Sequence, residues 1–141
     1  MPQFVATHRI THEASLKMIE AGVVKANQLG VKVSLAVVDA SGQLIAFLMM
    51  DGARFFSGRT TIKKAITSAS QRMPTGYAPE ERVISMQIRM DGDFTNVLGG
   101  FPIWVDGQVV GGVAAGGAKE EEDAIIAKAA LDALGLPPPK L

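Results

Sequence analysis

The sequence contains no cysteine. That absence removes disulfide frameworks, thiolate nucleophiles, zinc–thiolate sites and covalent haem attachment through C-x-x-C-H. It also lacks a charge excess of either sign, since 14 Lys and Arg balance 14 Asp and Glu. Without a net field or a Lys/Arg cluster, binding to nucleic acid or to an anionic membrane is disfavoured. No apolar run approaches the roughly 20 residues that span a bilayer. The start, "MPQFVATHRITHEAS", carries neither the basic residues nor the apolar stretch of a secretory signal. A soluble, cytoplasmic protein is therefore expected.

What is present is apolar matter enough for a core. Of 141 residues, 48% are hydrophobic and 20% charged, which argues for one globular domain over residues 1–141. Thr11 can cap a helix that runs to about Leu29, with Leu16, Ile19, Val23 and Ala26 on one face and Gly30 as the stop. Val31, Val33, Leu35 and Val37 then alternate with Lys32, Ser34 and Ala36, and Asp39–Gly42 turns the chain into the apolar run Leu44–Met49. This reads as an antiparallel hairpin.

A second helix is predicted over Ser57–Met73, with Ile62, Ala65, Ile66 and Ala69 inward and Arg59, Lys63 and Arg72 outward, ended by Pro74. Pro79 suits the first position of a further short helix, whose apolar side is Val83, Ile84 and Ile88. Asp106–Gly107 fits a type I′ turn between strands Phe101–Val105 and Gln108–Ala115. A last helix over Glu120–Leu134 precedes Gly135 and a Pro-rich tail, 135–141. Hairpins interrupted by helices define an α+β domain with helices covering an antiparallel sheet of about five strands.

Candidate chemistry is sparse. "GGVAAGGAKEEED" spaces Gly112 and Gly117 as a phosphate loop would, but Ala118 stands where its lysine belongs and Glu120 follows Lys119. A G-x-G-x-x-G fingerprint is missing too. Gly116–Gly117 still precede a helix whose free N–H groups could hold a carboxylate, although the acids close behind compete for that positive end. His8 and His12 are four residues apart, yet Thr11 puts the helix start between them, so shared metal ligation loses to ordinary surface histidines. Met49, Met50, Met73, Met86 and Met90 could face a flat apolar ligand, or simply fill core gaps. Lys63, Lys64 and Thr67, with Arg54 before them, could bind a small acid or form a solvated helix face. No G-x-S-x-G elbow or Ser-x-x-Lys start names a nucleophile.

Taken together, "LGVKVSLAVVDASGQLIAFLMMDGA" (29–53), "KKAITSA" (63–69), "GGFPIWVDGQVVGGVAAGG" (99–117) and Asp123 resemble the GlcG/HbpS family, related to a domain attached to some corrinoid adenosyltransferases. The resemblance covers about 10–134. It implies a profilin-like fold, assembly into homo-oligomers, and noncovalent binding of haem or a related tetrapyrrole, with haem degradation by reductant and oxygen as a further expectation. Two positions depart from the family's pattern: Met49 stands for an arginine before Met-Asp-Gly, and Ala115 for the serine of Ser-Gly-Gly. The second change removes a hydroxyl from the suspected pocket. Two alternatives remain open. One is an enzyme or accessory protein of small-molecule catabolism, binding a carboxylate near Lys64, Gly99, Gly100, Gly116 and Gly117, where paired glycines admit a ligand to the backbone. The other is an assembly subunit without chemistry.

Overall fold

The computed structural model describes residues 1–137. Helix α1 spans His12–Leu29, with Thr11 accepting a hydrogen bond from the Ala14 amide at 3.1 Å and Gly30 closing it at φ 71°. Strand β1 is Ser34–Asp39 and β2 Leu44–Met49. Strand β1 starts later than the alternation suggests, because the Val31 amide still bonds back to Ala26 in the close of α1. Helix α2 is Phe55–Gln71. It ends before Met73 because Arg72 turns left-handed at φ 60°.

Helix α3, Glu80–Arg89, has Pro79 at its cap rather than inside it. No residue of α3 is buried, and Ile84 and Ile88 are each 72% exposed, so most of its apolar side stands outside the core. Strands β3 (Gly100–Val105) and β4 (Gln108–Gly116) follow, joined by Asp106 and Gly107 at φ 50° and 76°, both left-handed as a type I′ turn requires. Helix α4 is Glu120–Asp132. The Pro-rich tail expected at 135–141 lies, beyond Pro137, outside the described residues.

All pairings are antiparallel, in the order β2-β1-β4-β3. The sheet has four strands among the described residues, not about five. The segment between α3 and β3 adds none: it is bounded by positive φ at Asp91, Gly92 and Gly99, and the sheet takes no strand from it.

The two faces of the sheet differ in side-chain size. One face, under α1 and α4, carries Leu35, Val37, Ile103 and Val113 against Met18, Ile19 and Ile126. Burial of such side chains contributes about 1.5–3 kcal/mol each. The opposite face, under α2, carries Ala36, Val38 and Ala114 against Ala65 and Ala69. Strand β1 is buried at every position, because helices cover both faces at the centre of the sheet.

Candidate functional site

Small residues bring α2 close to the sheet. On β4, Gly112 and Gly116 flank Ala114 on the face towards α2, and a Cβ at Gly112 would strike the Ala65 carbonyl and the Ser68 hydroxyl. A Cβ at Gly116 would strike the Thr61 hydroxyl. Facing them, α2 buries Ser57, Gly58, Thr61, Ala65, Ser68 and Ala69. In this seam a longer side chain would force helix and sheet apart.

Lys64 lies in the same interface. Its ammonium donates to the Ala115 carbonyl at 3.0 Å and to Asp123 Oδ2 at 2.9 Å. Both side chains are only 3% exposed. Burial pushes the Asp123 carboxyl above its ordinary value, although the bond and charge of Lys64 and the Ala118 and Gly117 amides all oppose that rise. A buried pair of this geometry compensates two charges that would otherwise be very costly to dehydrate.

The five residues singled out in the sequence do converge here. Gly116 sits beside Thr61 and Lys64, and Gly100 lies over the Lys64 backbone. Gly99, at φ 125°, leaves only 2.9 Å between a hypothetical Cβ and Lys64 Nζ. Gly117, at φ 118°, packs against Ser57, while its carbonyl accepts from Arg54 at 3.3 Å. These glycines are surrounded by protein atoms.

The start of α4 is similarly taken. Asp123 Oδ1 accepts from the Ala118 amide at 3.0 Å, and Glu122 Oε1 from the Lys119 amide at 3.2 Å. Glu120 reaches across to the Leu98 amide at 3.1 Å. The acids following Gly117 thus hold the Ala118 and Lys119 amides and add negative charge to the helix end that an external carboxylate would approach.

Among the described residues, Thr61 Oγ1 is the one buried side-chain polar atom without a hydrogen-bond partner. It lies in a close part of the seam, against Gly116.

The methionines do not gather. Met50 is in the core, and Met73 and Met86 border a cleft of 40 Å³ beside Tyr77 and Phe94. The histidines separate as well: His12 is the first residue of α1, while His8 lies in the segment before it. His8 lines a shallow groove of 270 Å³ with Arg9, Ile10, Val105, Val110, Leu134 and Leu136. Its Nδ1 is 3.5 Å from Gln108 Oε1 and its Nε2 4.0 Å from Asp106. Arg9 pairs with Asp39 at 3.4 Å.

The sequence suggests an external carboxylate for Lys64 and does not pair it with Asp123, whose carboxylate takes that place. A signal existed in the spacing. Asp123 falls on the stripe 123, 126, 127, 130, and Lys64 on 57, 61, 64, 65, 68, both with core periodicity. An unlike charge on each of two buried stripes points to a partner inside.

With this geometry established, comparisons with known proteins define the class. The described residues form a four-helix, four-stranded α+β protein, and residues 10–132 match the family described as "Haem degrading protein HbpS-like". The chain belongs to that family. An uncharacterised 15.0 kDa protein encoded between dhaT and dhaS in Citrobacter freundii is 31% identical over 135 residues, 92% of this chain and 94% of that one. The corrinoid adenosyltransferase PduO of Citrobacter freundii is 27% identical over 125 residues, 85% of this chain. Only 37% of PduO is spanned. Among solved structures, a PduOC–haem complex superposes with a TM-score of 0.81 at 26% identity, covering 89% of this chain and 94% of that one.

Proposed function

We propose that the protein binds haem, or a related tetrapyrrole, noncovalently in the groove beside His8. The observation that carries this reading is an apolar floor with one imidazole at its rim. Ile10, Val105, Val110, Leu134 and Leu136 offer the surface that a macrocycle seeks, and Arg9, whose Nε contacts Asp39 at 3.4 Å, keeps a largely exposed guanidinium for a propionate. In the tautomer with its proton on Nδ1, directed at Gln108, His8 keeps the Nε2 lone pair for iron. Family membership and the haem complex of PduOC support the same ligand class.

A groove of 270 Å³ takes part of a macrocycle, leaving an edge for solvent or a second subunit. Self-association is part of the proposal. Phe55 and Phe56, 69% and 61% exposed, stand near Phe47 and Met49 on the edge strand β2, an apolar surface that a second copy would cover. Bound haem would supply iron-centred redox chemistry; the apolar floor would hold the ring and limit water on one side, and His8 would hold the iron. The small-acid alternative gains no support from the geometry, because the Asp123 carboxylate already sits on Lys64.

Hemin titration tests the reading. A saturable Soret shift with defined stoichiometry is expected, with His8→Ala changing the band position or weakening binding at least about tenfold, and His12→Ala leaving both unchanged. A linear response, or a His8→Ala spectrum identical to wild type, removes it. Loss of the Soret band with ascorbate and oxygen, compared with free hemin, tests the expectation of degradation separately.

A further inference from the structure

On the other side of the hairpin ends lies a larger groove, 560 Å³ in volume, where the turns β1–β2 and β3–β4 meet the C-terminal end of α2. Its volume is that of a small-molecule site. Trp104 contributes a half-buried indole, and Ile66 and Val109 contribute apolar surface beside it. Gly42, at φ 85°, and Gly107, at φ 76°, put turns without side chains at the rim. The groove therefore stays open where a longer residue would fill it.

Its polar end is Arg72. The guanidinium forms no ion pair with any carboxylate among the described residues. The Arg72 backbone is the left-handed cap of α2, donating to the Ser68 carbonyl at 2.9 Å. Glycine takes that conformation at no steric cost, whereas an L-residue is disfavoured there by contact of its Cβ with the backbone. An arginine in a glycine's place puts a cation at the groove, and Ser70 adds a hydroxyl on the same helix end.

We infer that this groove is a second ligand site, for a planar aromatic carboxylate whose ring lies on Trp104 and whose acid meets Arg72. An aromatic ring matches indole by offset or edge contact. One carboxylate matches one guanidinium in charge and in bidentate geometry, while a phosphate dianion would leave a charge uncompensated. The site is separate from the groove beside His8, shares none of its lining residues, and does not depend on haem binding.

Trp104 is the only tryptophan in the chain, so its fluorescence reports from within this groove. With excitation at the red edge, 4-hydroxybenzoate is expected to change the emission saturably at millimolar concentration or below. Benzamide and cyclohexanecarboxylate, lacking the charge or the flat ring, should each bind at least about tenfold more weakly. Arg72→Gly should weaken the acid at least about tenfold while keeping or raising thermal stability, because glycine relieves the left-handed cap. The hemin titration of Arg72→Gly and the acid titration of His8→Ala should both match wild type. Absence of saturation, equal binding of benzamide, or an unchanged affinity in Arg72→Gly overturns the inference. Loss of hemin binding in Arg72→Gly would also overturn it, by making the groove part of the tetrapyrrole site.

Discussion

Lys64 on α2 and Asp123 on α4 meet at 2.9 Å across β4, each side chain 3% exposed, so the pair ties the helices on opposite faces of the sheet. Removal of one partner leaves the other as an uncompensated buried charge. Lys64→Met is expected to lower unfolding free energy by about 3–5 kcal/mol in urea denaturation. Lys64→Met combined with Asp123→Leu, which has the branching of aspartate, should recover most of that loss. The unpaired Ala118 amide would account for about 1 kcal/mol of what remains. A double variant as unstable as the sum of both singles would show that the two charges act independently.

Gly116 and Thr61 define the spacing of the seam. Gly116→Ala places a methyl group on the Thr61 hydroxyl and should cost about 1–3 kcal/mol. Thr61→Ala deletes the atom in conflict, one that has no hydrogen-bond partner to lose. The double variant Gly116→Ala with Thr61→Ala should therefore be more stable than Gly116→Ala alone. Thermal denaturation of the four proteins settles the sign, and an added loss in the double variant would refute the close approach.

Local signals were legible in the sequence where they act locally. Thr11, Gly30, Asp106 and Gly107 set their caps and turns through their own backbone geometry, and each stands where the pattern placed it. The glycines of 99–117 were legible as a cluster but not in their use. "GGVAAGG" is equally consistent with an open cradle and a filled seam, and only the facing stripe of α2 decides. The inward turn of Lys64 depends on Asp123, 59 residues away, so helical periodicity alone left it open between a solvated face and a carboxylate site and did not name its partner. Arg72, read only as an outward residue of its helix, was not joined to Trp104 because neither motif nor period links the end of α2 to the turns of the sheet.

Asp39 and Asp123 should bend the pH–stability curve in opposite directions. Burial raises the Asp39 carboxyl, but bonds from the Ser41 hydroxyl and from the Gln43 and Ser41 amides, together with Arg9, outweigh it and hold the group below its ordinary value of 3.8. Stability from Asp39 is thus present above 3.8 and lost as pH falls through its folded value. For Asp123 the folded state binds the proton more tightly. Its contribution is fully present below 3.8 and declines as pH rises towards its folded value. Asp39→Asn should cost about 1–3 kcal/mol at neutral pH and flatten the acid limb, whereas Asp123→Asn should remove the decline above 3.8. Urea midpoints taken between acid and neutral pH would show both, and unchanged profiles would contradict the assigned environments.

Phe55 and Phe56 open α2 with ring centroids 4.6 Å apart, and Arg59 lies 6.0 Å over the Phe56 ring. Neither ring is needed to fill the described core, since both are largely exposed. Replacing both with serine should therefore leave the unfolding transition nearly unchanged while removing apolar surface that only another molecule could bury. If a second copy covers this face, light scattering should give a multiple of the 14.9 kDa chain mass for wild type and a smaller species for Phe55→Ser with Phe56→Ser. The hemin titration of that variant carries a further consequence. An unchanged Soret response would mean that one chain completes the groove beside His8, and a weakened response would mean that the assembled surface holds the exposed edge of the ring. A wild-type protein that stays monomeric at all concentrations would remove self-association from the proposal, leaving the groove beside His8 to be judged on hemin binding alone.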